Sequence, residues 1–128
     1  MLRVLVCCLF AVLFAVLAMA LAPPARAADA GLDALIAQHA SANGVPVALV
    51  RRVIMRESGY DPRVVYHGNY GLMQIRLGTA RALGYRGPAD GLLDPGTNMT
   101  YAVRYLAGAY RAAHGNEMRA VALYTRGY

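Results

Sequence analysis

The chain contains seven acidic residues, and only two of them are glutamates, Glu57 and Glu117. Glu117 follows Asn116 and falls in the first turn of a predicted helix, where a carboxylate favours the helix dipole. It reads as structural. Glu57 sits differently. At ~100° per residue with Val50 as zero, Ile54 falls at ~+40°, Val47 at ~+60°, Val53 at ~−60° and Glu57 at ~−20°. Glu57 therefore lies near the middle of an apolar stripe, while Arg51, Arg52 and Arg56 point away from it. The stripe aims the carboxyl inward at a helix C-terminus. An apolar setting and the negative end of the dipole both favour the protonated form, which suits a general acid. The competing reading is a buried Glu paired with an arginine from elsewhere in the fold.

Around Glu57 the sequence runs Glu57-Ser58-Gly59-Tyr60-Asp61-Pro62, followed by Gly71-Leu72-Met73-Gln74-Ile75. Further on come Leu93-Asp94-Pro95, Asn98, Tyr105-Leu106 and Ala122-Leu123-Tyr124-Thr125-Arg126-Gly127. These segments, in this order, resemble the lytic transglycosylases with a goose-type-lysozyme-like domain, the SLT family. The resemblance covers about residues 33–128, and the pairing of Glu-Ser with Gly-Leu-Met-Gln at this spacing is its specific part. Thr125 stands where the family usually has Asn, and Asn69-Tyr70 where a small residue often precedes Gly-Leu-Met-Gln. Many relatives continue past the position of Tyr128.

The resemblance implies a peptidoglycan-cleaving enzyme. The family breaks the β-1,4 bond between N-acetylmuramic acid and N-acetylglucosamine and forms a 1,6-anhydro ring without adding water. Glu57 is implied as the catalytic acid and base. Ser58 and Gln74 are implied to position the acid or bind the sugar, Leu72 and Met73 to line the cleft floor, and Tyr124 to place its hydroxyl near Glu57. Leu72 and Met73 also suit a core, and Ser58 a helix end. Tyr60 reads as packing and Asn98 as a structural cap. A hydrolytic muramidase would need a second carboxylate in the cleft, and Asp61 and Asp94 are the loop acids able to supply one. A protein that binds the wall or acts as a scaffold without catalysis is the alternative from another class.

These residues need elements to hold them. Periodicity and caps predict helices over Gly31–Ser41, from Pro46 to about Ser58, near Thr79–Leu83, from Thr97 or Asn98 to about Ala113, and from Glu117, capped by Asn116, to about Tyr124. Residues 61–71 and 84–96 are rich in Gly and Pro and read as loops. No period-two strand pattern appears, so the expected fold is all-α, a small single lysozyme-like domain over residues 28–128.

Before it, Arg3 precedes an uncharged run from Val4 to Ala22, then Pro23-Pro24 and Ala25-Arg26-Ala27. This is the layout of a secretory signal cut after Ala27. The other reading is an uncleaved membrane anchor, since nineteen apolar residues can just span a bilayer. Either way the domain is expected outside the cytoplasm, in the periplasm for a cleaved signal. Both cysteines, Cys7 and Cys8, fall in this run, so residues 28–128 hold no disulfide and no thiol nucleophile.

Residues 28–128 carry eleven Arg, no Lys and seven acids. That excess is compatible with an anionic wall polymer. The arginines are scattered, which argues against nucleic acid as a partner. His39, His67 and His114 share no ligand spacing, so no metal and no cofactor are expected. The small size allows a specialised role, such as opening the wall for a secretion or conjugation apparatus. General wall turnover is equally open.

Overall fold

The computed structural model describes residues 24–128. The apolar run Val4–Ala22, with both cysteines, lies outside the described residues. The chain divides into two units, Met1–Gly31 and Leu32–Tyr128. Of the first, only the opening turns of a helix are described. The second contains the remainder of that helix and all the other elements below.

Five helices, one 3₁₀ turn and a small sheet build the described chain. Helix α1 (Pro24–Asn43) starts well before the expected Gly31 and ends where Asn43-Gly44 predicts. Gly44 adopts a left-handed φ of 64°. The amides of Gly44 and Val45 then bond back to the carbonyls of Ser41 and Ala40, which satisfies the helix end. Helix α2 (Val47–Ser58) runs from Pro46 to Gly59 as predicted, closed by Gly59 at φ 59°. Its buried face is Leu49, Val50, Val53 and Ile54. Val47, expected in the stripe, is exposed, and Leu49 takes its place. Leu49 falls at ~−100°, so the exchange moves the centre of the buried arc onto Glu57.

The expectation of an all-α chain is corrected by a three-stranded antiparallel sheet, ordered β1 (Val65–Tyr66), β2 (Asn69–Tyr70) and β3 (Ile75–Arg76). The fold is mostly helical with these short strands. Strands of two residues carry no readable alternation. The β1–β2 turn is His67-Gly68, with φ of 48° and 75°. Positive φ at both central residues matches the twist of a two-residue hairpin. Gly is usual there and His is not, so the turn signal is weak.

Helix α3 (Leu77–Ala82) follows directly, two residues earlier than expected. The second predicted loop contains a 3₁₀ turn (Ala89–Leu93) that buries Leu92. Helix α4 (Pro95–Ala112) starts earlier than predicted because Asp94 is its cap, not Thr97 or Asn98. The Asp94 carboxylate accepts the amide of Thr97 at 2.8 Å, and Pro95 suits the first turn. That amide bond holds the Asp94 carboxyl below its usual range. Helix α5 (Glu117–Arg126) is capped by Asn116 as expected, through the amide of Arg119 at 2.9 Å, and runs on past Tyr124.

Helices α4 and α5 pack on one another, and Ala102 and Ala109 of α4 and Ala120 of α5 are all buried. Ile36, Leu49, Ile54, Leu72, Met73, Met99 and Leu106 fill the rest of the core. On the surface, Arg52 reaches Glu117 at 3.0 Å and ties α2 to α5. Tyr128 stacks on Tyr105 at 4.9 Å and donates to its carbonyl at 2.8 Å. Its ring lies over Gly108, where a Cβ would collide with the Tyr128 hydroxyl.

Candidate active site

A cleft of about 390 Å³ opens where the C-terminus of α2, the sheet and α5 meet. Glu57 reaches it from α2, Asn69, Gln74 and Arg76 from the sheet and its turn, and Tyr105 from α4. Helix α5 supplies Tyr124, Thr125 and Arg126. Glu57 is the one carboxylate in this lining. It is half-buried: the core-facing stripe of α2 ends at the cleft wall, so its last member meets solvent space rather than core. The paired-Glu reading finds no support among the described residues, where no arginine lies within ion-pair distance of Glu57.

Thr125 is the side chain that touches it. The Thr125 hydroxyl lies 3.2 Å from Glu57 Oε1 and 3.0 Å from the Val121 carbonyl. Tyr124, beside it, is buried, and its hydroxyl donates to the Met73 carbonyl at 2.7 Å. Burial raises the phenol well above its ordinary range, with smaller contributions from the Glu57 charge and from Tyr105. Tyr124 therefore stays neutral at any physiological pH, as a donor and a spacer rather than a base.

The Gly-Leu-Met-Gln segment is a tight turn between β2 and β3. Gly71 takes φ 72°, and a Cβ there would lie 2.5 Å from Asn98 Nδ2 and from the Leu92 carbonyl. Gln74 holds φ 50°. Its amide nitrogen donates to the carbonyls of Val64 and Gly71, each at 2.9 Å. Both donors are engaged, which leaves Oε1 as its acceptor at the cleft.

Leu72 and Met73 are both fully buried. Their side chains belong to the core and are not in the cleft lining, so the expected floor is absent. Met73 acts through its backbone, which bonds to Tyr124 on one side and to Asn98 on the other. Ser58 is likewise outside the lining, and its hydroxyl bonds back to the Ile54 carbonyl at 3.2 Å. That is a helix-end contact. Of the sequence-derived set, the structure brings Glu57, Gln74 and Tyr124 together at the cleft.

Asn98 is structural as expected, but not as a cap. It is fully buried in α4. Its Oδ1 accepts the Met73 amide at 3.0 Å, and its Nδ2 donates to Tyr70 at 2.7 Å and to Leu92 at 2.8 Å. One side chain thus holds the turn, the sheet and the 3₁₀ segment. Asp61 and Asp94, the candidate second carboxylates, are engaged elsewhere. Asp61 pairs with Arg63 at 3.1 Å on the surface and Asp94 caps α4. Neither lines the cleft.

Sequence reasoning misses Asn69, Arg76, Thr79 and Arg126 as cleft residues. Thr125 and Asn69 stand out in the sequence only as departures from the family pattern, and that is the available signal. For the rest, no spacing rule links the sheet to α5. Among the described residues no group of His, Cys, Asp and Glu could hold a metal ion, and no helix is long and apolar enough to cross a membrane.

This helical frame, with a single glutamate at the head of a cleft beside a small sheet, has clear relatives. Residues 34–128 match the Transglycosylase SLT domain model, and the chain belongs to that family. The peptidoglycan transglycosylase gp16 of Escherichia phage T7 is 37% identical over 99 residues, covering 74% of this chain and 8% of the phage protein. The crystal structure of the 70 kDa soluble lytic transglycosylase of Escherichia coli matches with a TM-score of 0.66 at 28% identity, over 71% of this chain and 16% of that one. A complex of the 70-kDa soluble lytic transglycosylase with bulgecin A gives 0.67 at 31% identity, over 73% and 16%. The chain spans only a small fraction of the length of these relatives.

Proposed function

We propose that this chain is a peptidoglycan lytic transglycosylase, cleaving the MurNAc-β-1,4-GlcNAc bond with Glu57 as both acid and base. The observation that carries this is the single carboxylate of the cleft lining. Glycosidases that use water ordinarily place two carboxyl groups about the bond. One is enough when the sugar supplies its own nucleophile. Protonated Glu57 gives its proton to the bridging oxygen as the C1–O bond breaks. The acetamido group of the same sugar stabilises the cationic C1. Glu57, now a carboxylate, takes the proton of the C6 hydroxyl, and O6 closes on C1. The product is a 1,6-anhydro ring, Glu57 is protonated again, and no water is consumed.

Thr125 suits this cycle because a hydroxyl can donate to a carboxylate or accept from a carboxylic acid. The names of the relatives support the same substrate: one is a peptidoglycan transglycosylase and another a soluble lytic transglycosylase. Peptidoglycan lies outside the cytoplasm, so export through residues 1–27 to the periplasm belongs to this proposal. Service to a secretion or conjugation apparatus is its specialised form.

The test is incubation of the purified protein with isolated peptidoglycan, with Glu57→Gln alongside, and mass spectrometry of the released fragments. Anhydro-muramic products that vanish in the variant are expected. Reducing-end products, heavier by one water, would make it a hydrolase. A folded protein that releases nothing would be a wall-binding protein.

A further inference from the structure

Two glycines place one ring. Gly108 lies inside α4, although glycine is among the poorest helix formers. The helix itself does not require it there, because its φ is not left-handed. The space left by its missing Cβ belongs to Tyr128: the three heavy atoms nearest that position are all of the Tyr128 phenol. Gly127, at the end of α5, holds φ 82° and ψ 150°, a combination that side chains essentially do not adopt. This turn sends Tyr128 back onto α4, where its hydroxyl donates to the Tyr105 carbonyl at 2.8 Å.

Tyr128 is 55% exposed and lies outside the cleft lining. Tyr105 lies inside it, and among the described residues it is the only one that α4 contributes. The Tyr105 ring is held between two others. On one side Tyr124 meets it edge-on at 5.4 Å, and Tyr124 is itself fixed by its bond to the Met73 carbonyl. On the other side Tyr128 stacks on it at 4.9 Å, with 27° between the planes. A ring as exposed as Tyr128 adds little to the core. What it covers is the back of a cleft residue.

We propose that Tyr128 is a positioning residue: seated over Gly108, it clamps Tyr105 against Tyr124 and so fixes the α4 wall of the cleft for a glycan strand. That the occupant is a glycan rests on the peptidoglycan reading above. The clamp acts on binding rather than on bond breaking. Thr125, which touches Glu57, is anchored separately, within α5, by its bond to the Val121 carbonyl. A Tyr105 ring without its stacking partner is freer before the strand arrives and must be immobilised by it. That cost falls on affinity.

Soluble glycan strands are the probe, in steady-state kinetics on the full chain and in calorimetry on the full chain carrying Glu57→Gln. Tyr128→Ala should raise KM, and weaken calorimetric binding, by about two- to tenfold, the range for one lost aromatic pair. The change should appear in KM and not in kcat. Tyr128→Phe keeps the stack and should retain most of the affinity. Gly108→Ala should reproduce the Tyr128→Ala defect from outside the cleft, because its Cβ displaces the ring. In the Tyr128→Ala background the same change should add nothing to the defect, and it should raise the melting temperature, as alanine does inside a helix. Defects that add in the double variant, defects that follow melting temperature, or unchanged affinity in both single variants would overturn the clamp and leave the peptidoglycan reading standing. An unaltered chain that binds strands without cleaving them would overturn the catalytic reading, and calorimetry would still decide the clamp. One that binds no strand would overturn both.

Discussion

The Thr125 hydroxyl stands 3.2 Å from Glu57 Oε1 and 3.0 Å from the carbonyl of Val121, with one hydrogen to place between them. When Glu57 is ionised the hydrogen turns to the carboxylate. When Glu57 is protonated the hydroxyl donates to Val121 and accepts from the acid. Helix α5 thus presents Glu57 with a partner for either state, without any movement of the backbone.

Thr125→Val keeps the shape and removes this exchange. Turnover on peptidoglycan should fall roughly tenfold, in line with ~1.4 kcal/mol for a hydrogen bond to a charged group that is partly exposed to solvent. Thr125→Ser should restore most of it. Steady-state kinetics with thermal melts decide the matter. Equal loss in Val and Ser, or a loss that follows melting temperature alone, would give Thr125 a purely structural role.

Asn98 joins α4 to Met73, Tyr70 and Leu92 with no buried side-chain polar atom unsatisfied among the described residues. Asn98→Ala would orphan one amide and two carbonyls. Each costs about 1–3 kcal/mol when buried, so a loss of ~3 kcal/mol or more is expected. Asn98→Asp should be no better, because it sets a carboxylate oxygen against two carbonyls. Urea denaturation measures both. A change below ~1 kcal/mol would mean that water replaces the side chain.

Gly71 and Gly68 share a left-handed φ, 72° and 75°, but differ in surroundings. A Cβ at Gly68 meets open space, whereas at Gly71 it meets Asn98 and the Leu92 carbonyl. Gly68→Ala should cost ~1–2 kcal/mol, from φ alone. Gly71→Ala should cost several times that or prevent folding, since Asn98 cannot retreat without breaking its own bonds. Denaturation midpoints of the pair give the comparison, and equal costs would refute the packing argument.

Tyr124 titrates above its ordinary value of 10.0 in the folded protein, chiefly through burial and then through the Glu57 charge. Above pH 10 the unfolded chain loses this proton while the folded one keeps it. Stability is therefore full below the unfolded value and declines as the pH rises beyond it. Tyr124→Phe should lessen this alkaline decline and leave the share of Tyr128, whose phenol burial also raises. It should also cost ~1–2 kcal/mol at neutral pH, because the Met73 carbonyl loses its donor. Melting curves from about pH 7 to 11 test both parts, and an undiminished alkaline decline in the variant would assign it to another group.

The sequence by itself determined the helices of this protein and the placement of Glu57. Gly44, Gly59, Asn116 and the apolar stripe of α2 act within a few residues of one another, so their consequences are local and legible. The stripe alone is enough to put Glu57 on the inward face of α2. Tertiary structure alone decided what surrounds that carboxyl. Asn98 reads as a cap beside Asp94-Pro95-Gly96-Thr97, yet its partner Met73 is 25 positions away. Leu72 and Met73 suit a cleft floor or a core equally well by type, and only their full burial in the folded chain makes them core. Strands of two residues have no period to detect, so the sheet that sets Arg76 at the cleft exists only once the chain has folded. Thr125 meets Glu57 across 68 residues. Contacts of that span come from the docking of α5 against α2, which no local pattern encodes.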